Sequence, residues 1–134
     1  MSELVLPPVR AAFRAIATTV VPEAAALDEN GWAEAEALVE RTLAARPAAI
    51  RRQLQMLIRA IDLLPLLRYG RRFTALDAAR RTRVLLAFQD SPLLLLRRGL
   101  WGIRTLVMLG YYARPAARAA VGYRADPRGW EARR

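Results

Sequence analysis

The segment from Ser91 to Tyr112, SPLLLLRRGLWGIRTLVMLGYY, constrains the fold most, because its helical pattern carries more apolar surface than one core-facing stripe accounts for. Ser91 and Pro92 have the form of a capping residue and a first helical residue, which predicts a helix over about 92–112, the longest in the chain. At about 1.5 Å per residue such a helix spans roughly 30 Å, the width of a small domain. Leu93, Leu96, Leu100, Ile103, Val107 and Gly110 form one stripe. Trp101, Thr105, Met108 and Tyr112 form a second beside it, with Leu94 and Leu109 adding area. Only Arg97, Arg98 and Arg104 are clearly polar. An arginine near the middle of a membrane span costs about 2.5 to 3.5 kcal/mol, whereas each of about ten apolar side chains returns roughly 0.3 to 0.6. The sum opposes a transmembrane reading. A central helix of a bundle, buried on most sides by the first, third and fourth helices, is one complete account of the surplus; a bound partner covering the second stripe is the other.

The other helices follow from periodicity and punctuation. Pro7 and Pro8 suit a first turn, and Val9, Phe13, Ile16 and Val20 recur at helical spacing until Val21-Pro22, giving a helix of about 8–20. Residues 22–31, PEAAALDENG, read as a surface loop, with Asn30 or Gly31 preceding a second helix of about 32–45 striped by Trp32, Ala35, Val39 and Leu43. Pro47 opens a third, whose Ile50, Leu54, Leu57, Ile58, Ile61 and Leu64 lie on one arc and Arg51, Arg52, Gln55, Arg59 and Asp62 on the other. Pro65 ends or kinks it, and residues 66–72 read as a turn. Thr74, with Asp77 in the first turn, predicts a fourth helix over about 75–89. After the long helix, Pro115 to Gly122 has the form of a short helix, and Asp126-Pro127-Arg128-Gly129 of a turn.

The fold class expected is therefore all-α, a small bundle of about five helices with a long C-terminal helix, in one domain over 1–134 with terminal segments 1–7 and 124–134. Size agrees, since a chain of 134 residues buries roughly two-thirds of its unfolded surface in one modest core. So does composition: 54% of residues are hydrophobic, and Ala and Leu, the strong helix formers, supply much of that.

Cys and His are both absent, which removes disulfides, thiolate or imidazole metal sites, attached c-type haem and Cys or Ser–His nucleophilic chemistry. The twelve acids do not concentrate near a pocket motif, and no GxGxxG or GxxxxGK[ST] fingerprint cradles a nucleotide. These exclusions point to a binding subunit without catalytic residues, cofactor or metal of its own. All 22 basic residues are Arg, a bias that the abundant Ala also shows and that a GC-rich genome produces. Their distribution is uneven: residues 1–40 hold seven acids and two Arg, residues 41–134 five acids and twenty Arg.

Trp, Tyr, Met and Arg are the residue types enriched in protein interfaces, and they gather at the end of the long helix and beyond it. The candidate partner interface comprises Trp101, Arg104, Met108, Tyr111, Tyr112, Arg114, Tyr123 and Trp130. Trp101 and Tyr112 lie on the stripe facing outward and Tyr111 on the Val107 side, with Arg97, Arg104 and Arg114 at the rim.

Several short strings together resemble the small subunits of the gluconate 2-dehydrogenase subunit 3 family. They are Val20-Val21-Pro22 closing the first helix, Arg72-Phe73-x-x-Leu76 before the fourth, and Leu109-Gly110-Tyr111-Tyr112-x-x-Pro115 followed by Val121-Gly122-Tyr123. The resemblance covers roughly residues 10–124. It implies an all-helical accessory subunit that binds a large flavoprotein of the glucose-methanol-choline (GMC) oxidoreductase class, with FAD and the catalytic residues in that large subunit. Some members also pair with a membrane-associated cytochrome c. Many carry a twin-arginine export signal; none is seen here, so a cytoplasmic chain is expected, or a periplasmic one if it is exported with its partner. The family's Tyr-Pro-Gly-Pro ending is replaced by Tyr123-Arg-Ala-Asp126-Pro127.

Two other classes compete. A net charge of +10 with Arg pairs at 51–52, 71–72, 80–81, 97–98 and 133–134 suits a basic helical nucleic-acid-binding protein. Adjacent helical residues diverge by about 100°, however, so the pairs scatter charge rather than build one stripe. Peripheral attachment to an anionic membrane is the other, and it competes with the core for the same apolar surface.

Overall fold

In the computed structural model, which describes residues 4–114, every regular element is helical. The chain runs through α1 (Arg10–Val20), α2 (Glu29–Ala44), α3 (Ala48–Leu63), the single-turn α4 (Pro65–Tyr69), α5 (Ala78–Gln89) and α6 (Leu94–Tyr112). Short 3-10 turns at Pro7–Val9, Pro22–Ala26 and Phe73–Ala75 join them. The result is the all-α bundle expected, with five principal helices.

Two helices share the centre of the bundle, the long α6, which packs on α1, α2, α3 and α5, and the short α1. Phe13 and Ile16 are buried on one side, and Ala12, Ala15 and Ala17 are buried on the others, so α3, α5 and α6 all close upon it. Alanine makes this possible, because a side chain without bulk lets neighbouring backbones approach from several directions while keeping the best helix propensity.

Polar groups lock α1 to α2. The buried carboxylate of Glu36 accepts from Arg10 Nε at 2.9 Å and from Arg14 Nε at 2.7 Å, and Arg14 Nη1 reaches on to Glu29 at 3.1 Å. Burial pulls the Arg14 guanidinium downward, but the hydrogen bonds and charges of Glu36 and Glu29 outweigh it and hold the group above its ordinary value, firmly charged. One turn on, Glu40 clamps the incoming chain: its two oxygens accept the Val5 and Leu6 N–H groups at 2.9 and 3.0 Å, while Gln55 of α3 donates to the Val5 carbonyl at 2.9 Å. Val5 and Leu6, assigned from sequence to a terminal segment, are consequently core residues.

The differences from expectation at helix ends all trace to which side chain captures the free N–H groups. Residues 22–26 form a 3-10 turn, and α2 starts at Glu29, ahead of the Asn30–Gly31 position expected, because Asp28 Oδ1 accepts the Gly31 N–H at 2.7 Å. The stretch after Pro65 makes one helical turn, stopped by Gly70 in the left-handed region at φ +69°. Asp62, placed on the polar arc by periodicity, is buried: it pairs with Arg72 at 2.9 Å and accepts the Thr74 N–H at 3.3 Å. Arg81 donates to the carbonyls of Phe73 and Thr74. Thr74 is thereby committed to this staple, and Asp77 instead caps α5 through the Arg80 N–H at 2.8 Å. The staple holds Phe73 fully buried against α1. Helix α6 begins at Leu94, two residues beyond the Ser91–Pro92 start, with Ser91 Oγ accepting the Leu93 N–H at 3.1 Å.

Two glycines set how closely α6 approaches its neighbours. A Cβ on Gly110 would lie 2.9 Å from the Ala35 carbonyl oxygen of α2, and one on Gly99 would overlap the Leu57 side chain of α3. Gly110→Ala is expected to lower stability by about 1 to 2 kcal/mol despite the better helix propensity of Ala, since a backbone carbonyl cannot step aside. Gly99→Ala should cost less, because the end of a leucine can turn away. Urea denaturation of the two variants beside the parent checks the order. Glu36→Ala leaves two guanidinium groups without their shared acceptor, and about 2 to 3 kcal/mol of destabilisation is expected in the same assay.

Candidate partner interface

Once its glycines dock, α6 has a fixed rotation. Leu100, Ile103 and Val107 point into the core, as the first stripe of the sequence predicts, and Gly110 lies against α2. At 100° per residue the second stripe must then face away from the bundle. It does: Trp101 is 67% exposed, Met108 42% and Tyr112 44%. Leu94, Leu95 and Leu109 are exposed alongside them, and the Thr105 hydroxyl is turned back onto the Trp101 carbonyl at 2.9 Å, leaving its methyl side outward. An outward Trp–Met–Tyr row flanked by leucines is a surface whose burial against a partner would release much water-exposed apolar area.

The remaining candidates divide. Arg104 lies at the edge of this face and donates to Gln89 Oε1 of α5 at 3.1 Å, which fixes its guanidinium across the α5–α6 seam. Tyr111 is half-buried against the core, between an edge-on contact with Tyr112 at 4.9 Å and the Arg114 guanidinium 4.8 Å over its ring. Arg114 was expected at the rim and is instead buried, with Nε donating to the Tyr111 carbonyl at 3.1 Å, where it caps the end of α6. Tyr123 and Trp130 lie outside the described residues. The structure therefore brings Trp101, Met108, Tyr112 and Arg104 to one face and directs Tyr111 and Arg114 inward.

A second apolar surface was not singled out from sequence. Leu63, Leu64, Leu66 and Leu67 at the α3–α4 junction, with Leu86 of α5, are all exposed, and Leu67 most of all at 87%. Leu64 and Leu86 line a cleft of about 420 Å³ whose walls also include Pro65, Tyr69, Phe88, Arg68 and Arg83. The signal was present in LLPLL: a helix broken at Pro65 cannot turn four leucines to one side.

The internal void between Trp32, Gly110 and Tyr111 measures about 10 Å³, and the cleft offers Asp90 as its one carboxylate. Among the described residues no group of three or more carboxylates could hold a metal ion, and no helix is long and apolar enough to cross a membrane.

A family model described as Gluconate 2-dehydrogenase subunit 3 matches residues 9–127. No curated protein and no solved structure matches the chain.

The division of the two tyrosines and Trp101 gives an expected outcome for the isolated chain. Trp101→Ala should shift unfolding by less than about 0.5 kcal/mol, as for a surface change, whereas Tyr111→Ala, which strips the packing under Arg114, should cost about 2 kcal/mol. Thermal melts followed by circular dichroism distinguish the two.

Proposed function

From the membership of this chain in the gluconate 2-dehydrogenase subunit 3 family, we propose that it is a non-catalytic accessory subunit that binds and stabilises a large FAD-dependent GMC-type oxidoreductase. The observation that carries the reading is the outward row of Trp101, Met108 and Tyr112 on a helix whose other side already completes the core. In this reading the row is the centre of the bound surface, Leu94, Leu95 and Leu109 enlarge it, and Arg97, Arg98 and Arg104 meet carboxylates of the large subunit at its edge.

FAD belongs to the partner in this assignment. The sequence of the small chain has no glycine-rich fingerprint opening a helix to cradle a pyrophosphate. The chain contributes to oxidation indirectly: by binding the folded large subunit and not its unfolded form, it raises that subunit's stability through mass action. It works wherever that partner works, in the cytoplasm or, if the two are exported together, in the periplasm; a cytochrome c subunit would be a third member of such a complex.

Co-expression with the large flavoprotein encoded beside it tests the reading. A stoichiometric complex is expected, together with a higher melting temperature of the flavoprotein in the complex than alone. Trp101→Ala and Tyr112→Ala should each weaken the complex by roughly tenfold or more, the size of an interface anchor, while leaving the isolated chain folded. A flavoprotein that is equally stable alone and does not co-purify with the chain would reject the assignment.

A further inference from the structure

Helix α6 contains three glycines, and the fold accounts for two. Gly99 lies where α3 comes too close for a Cβ, and Gly110 where α2 does. Gly102 is different: it is exposed, and among the described residues a Cβ built upon it meets nothing within 4 Å. Glycine in the interior of a helix costs stability relative to alanine, through the freedom of the unfolded backbone, and no contact among the described residues is gained in return. A residue that weakens its own helix and is crowded by none of the described residues leaves room for something beyond them.

The surroundings of Gly102 say what would occupy that room. By helical geometry it shares its side of α6 with Leu95, Arg98, Thr105 and Leu109, all exposed, and with the half-buried Leu106, one or two turns away, while Trp101 points about 100° round the helix. The bare backbone is thus a dip at the border of the apolar outer face that Trp101 occupies. From Ser91 to Arg114 the chain has no acidic residue, so the charges bordering this face, Arg97 and Arg98, are positive only. A rigid dip in an apolar surface bordered by cations fits a folded protein surface that projects an apolar side chain and carries carboxylates beside it. Fluid acyl chains mould to any contour and gain nothing from a missing Cβ, so the dip does not favour a lipid surface.

We propose that Gly102 is the seat of an apolar side chain projecting from the large flavoprotein subunit, inserted between Arg98 and Thr105, with carboxylates of that subunit meeting Arg97 and Arg98. This rests on the reading of the outer α6 face as the surface bound by that subunit. It makes Gly102 a residue that sets specificity by shape: any side chain at this position fills the seat and holds the partner's surface away from Trp101.

The test uses the full chain, alone and co-expressed with the flavoprotein, carrying Gly102→Ala, Gly102→Leu, Trp101→Ala or Met108→Ala. Alone, Gly102→Ala is expected to raise the melting temperature by about 3 to 6 °C, the gain of a better helix former in open space. In the complex it should raise the dissociation constant by roughly tenfold, and Gly102→Leu by roughly a hundredfold, as for a filled binding pocket. A more stable chain with weaker binding is a pairing that general loss of structure cannot produce. Gly102 variants that bind as tightly as the parent, while Trp101→Ala and Met108→Ala weaken the complex, overturn the seat and leave the docking face intact. If all four variants bind normally, the docking face itself is wrong. Sedimentation of the chain with vesicles of phosphatidylcholine and phosphatidylglycerol, strengthened by Gly102→Leu, would overturn the proposal in favour of a membrane. A dimer of the chain alone that Gly102→Leu dissociates would do so in favour of a second copy.

Discussion

The rotation of α6 about its own axis decides what this molecule presents to its surroundings, and close contact at two glycines fixes it. Gly110 against the Ala35 carbonyl and Gly99 against Leu57 hold the helix at both ends of its core-facing stripe. A turn of one residue, about 100°, would bring Trp101 to the place of Leu100 and drive Leu100 into the place of Gly99, where Leu57 leaves no room for a side chain. Interiors are packed too densely to accept such a change gradually, so the contacts define one orientation. Everything said of the outer face depends on them, because that face is simply the side of α6 the glycines leave over.

A second dependence runs through α1. Its alanines let α3, α5 and α6 close upon it, and Glu36 holds it to α2 from both Arg10 and Arg14. This pairing uses the acids of the N-terminal part of the chain internally: Glu29 and Glu36 on arginines, Glu40 on two backbone N–H groups, Asp28 on a helix start. The long α6 shares the middle with α1, burying one side against α1, α2, α3 and α5 and keeping the other outward.

Much of this was legible in the sequence. The 3.6-residue pattern locates the principal helices, and the two stripes of α6 separate correctly into Leu100, Ile103 and Val107 inside and Trp101, Met108 and Tyr112 outside. Arg72-Phe73-x-x-Leu76 marks a real structural unit, with Arg72 paired to Asp62 and both apolar members buried. What escaped periodicity are the contacts made at long range by polar groups. Nothing local to Asp62 says that its carboxylate will bind a loop ten residues on, and nothing local to Val5 announces Glu40 as the acceptor for its N–H. Arg114 escaped for a related reason, since an arginine can shed water when an aromatic face and a carbonyl both await it. The leucines around Pro65 escaped because the helix was expected to stop there rather than make one more turn.

Twenty of the 22 arginines but only five of the twelve acids lie beyond residue 40, so the net charge of +10 is unevenly distributed along the chain. Such a separation gives the molecule a directional electric field, and a field acts before contact does. It speeds the encounter of oppositely charged surfaces and orients them as they meet, an influence that fades as the screening length shortens with salt. The apolar row on α6 has no such reach, but it resists separation once water has been expelled. Arrival and residence are thus entrusted to different residues, so the speed of assembly and the lifetime of the assembled state can change independently.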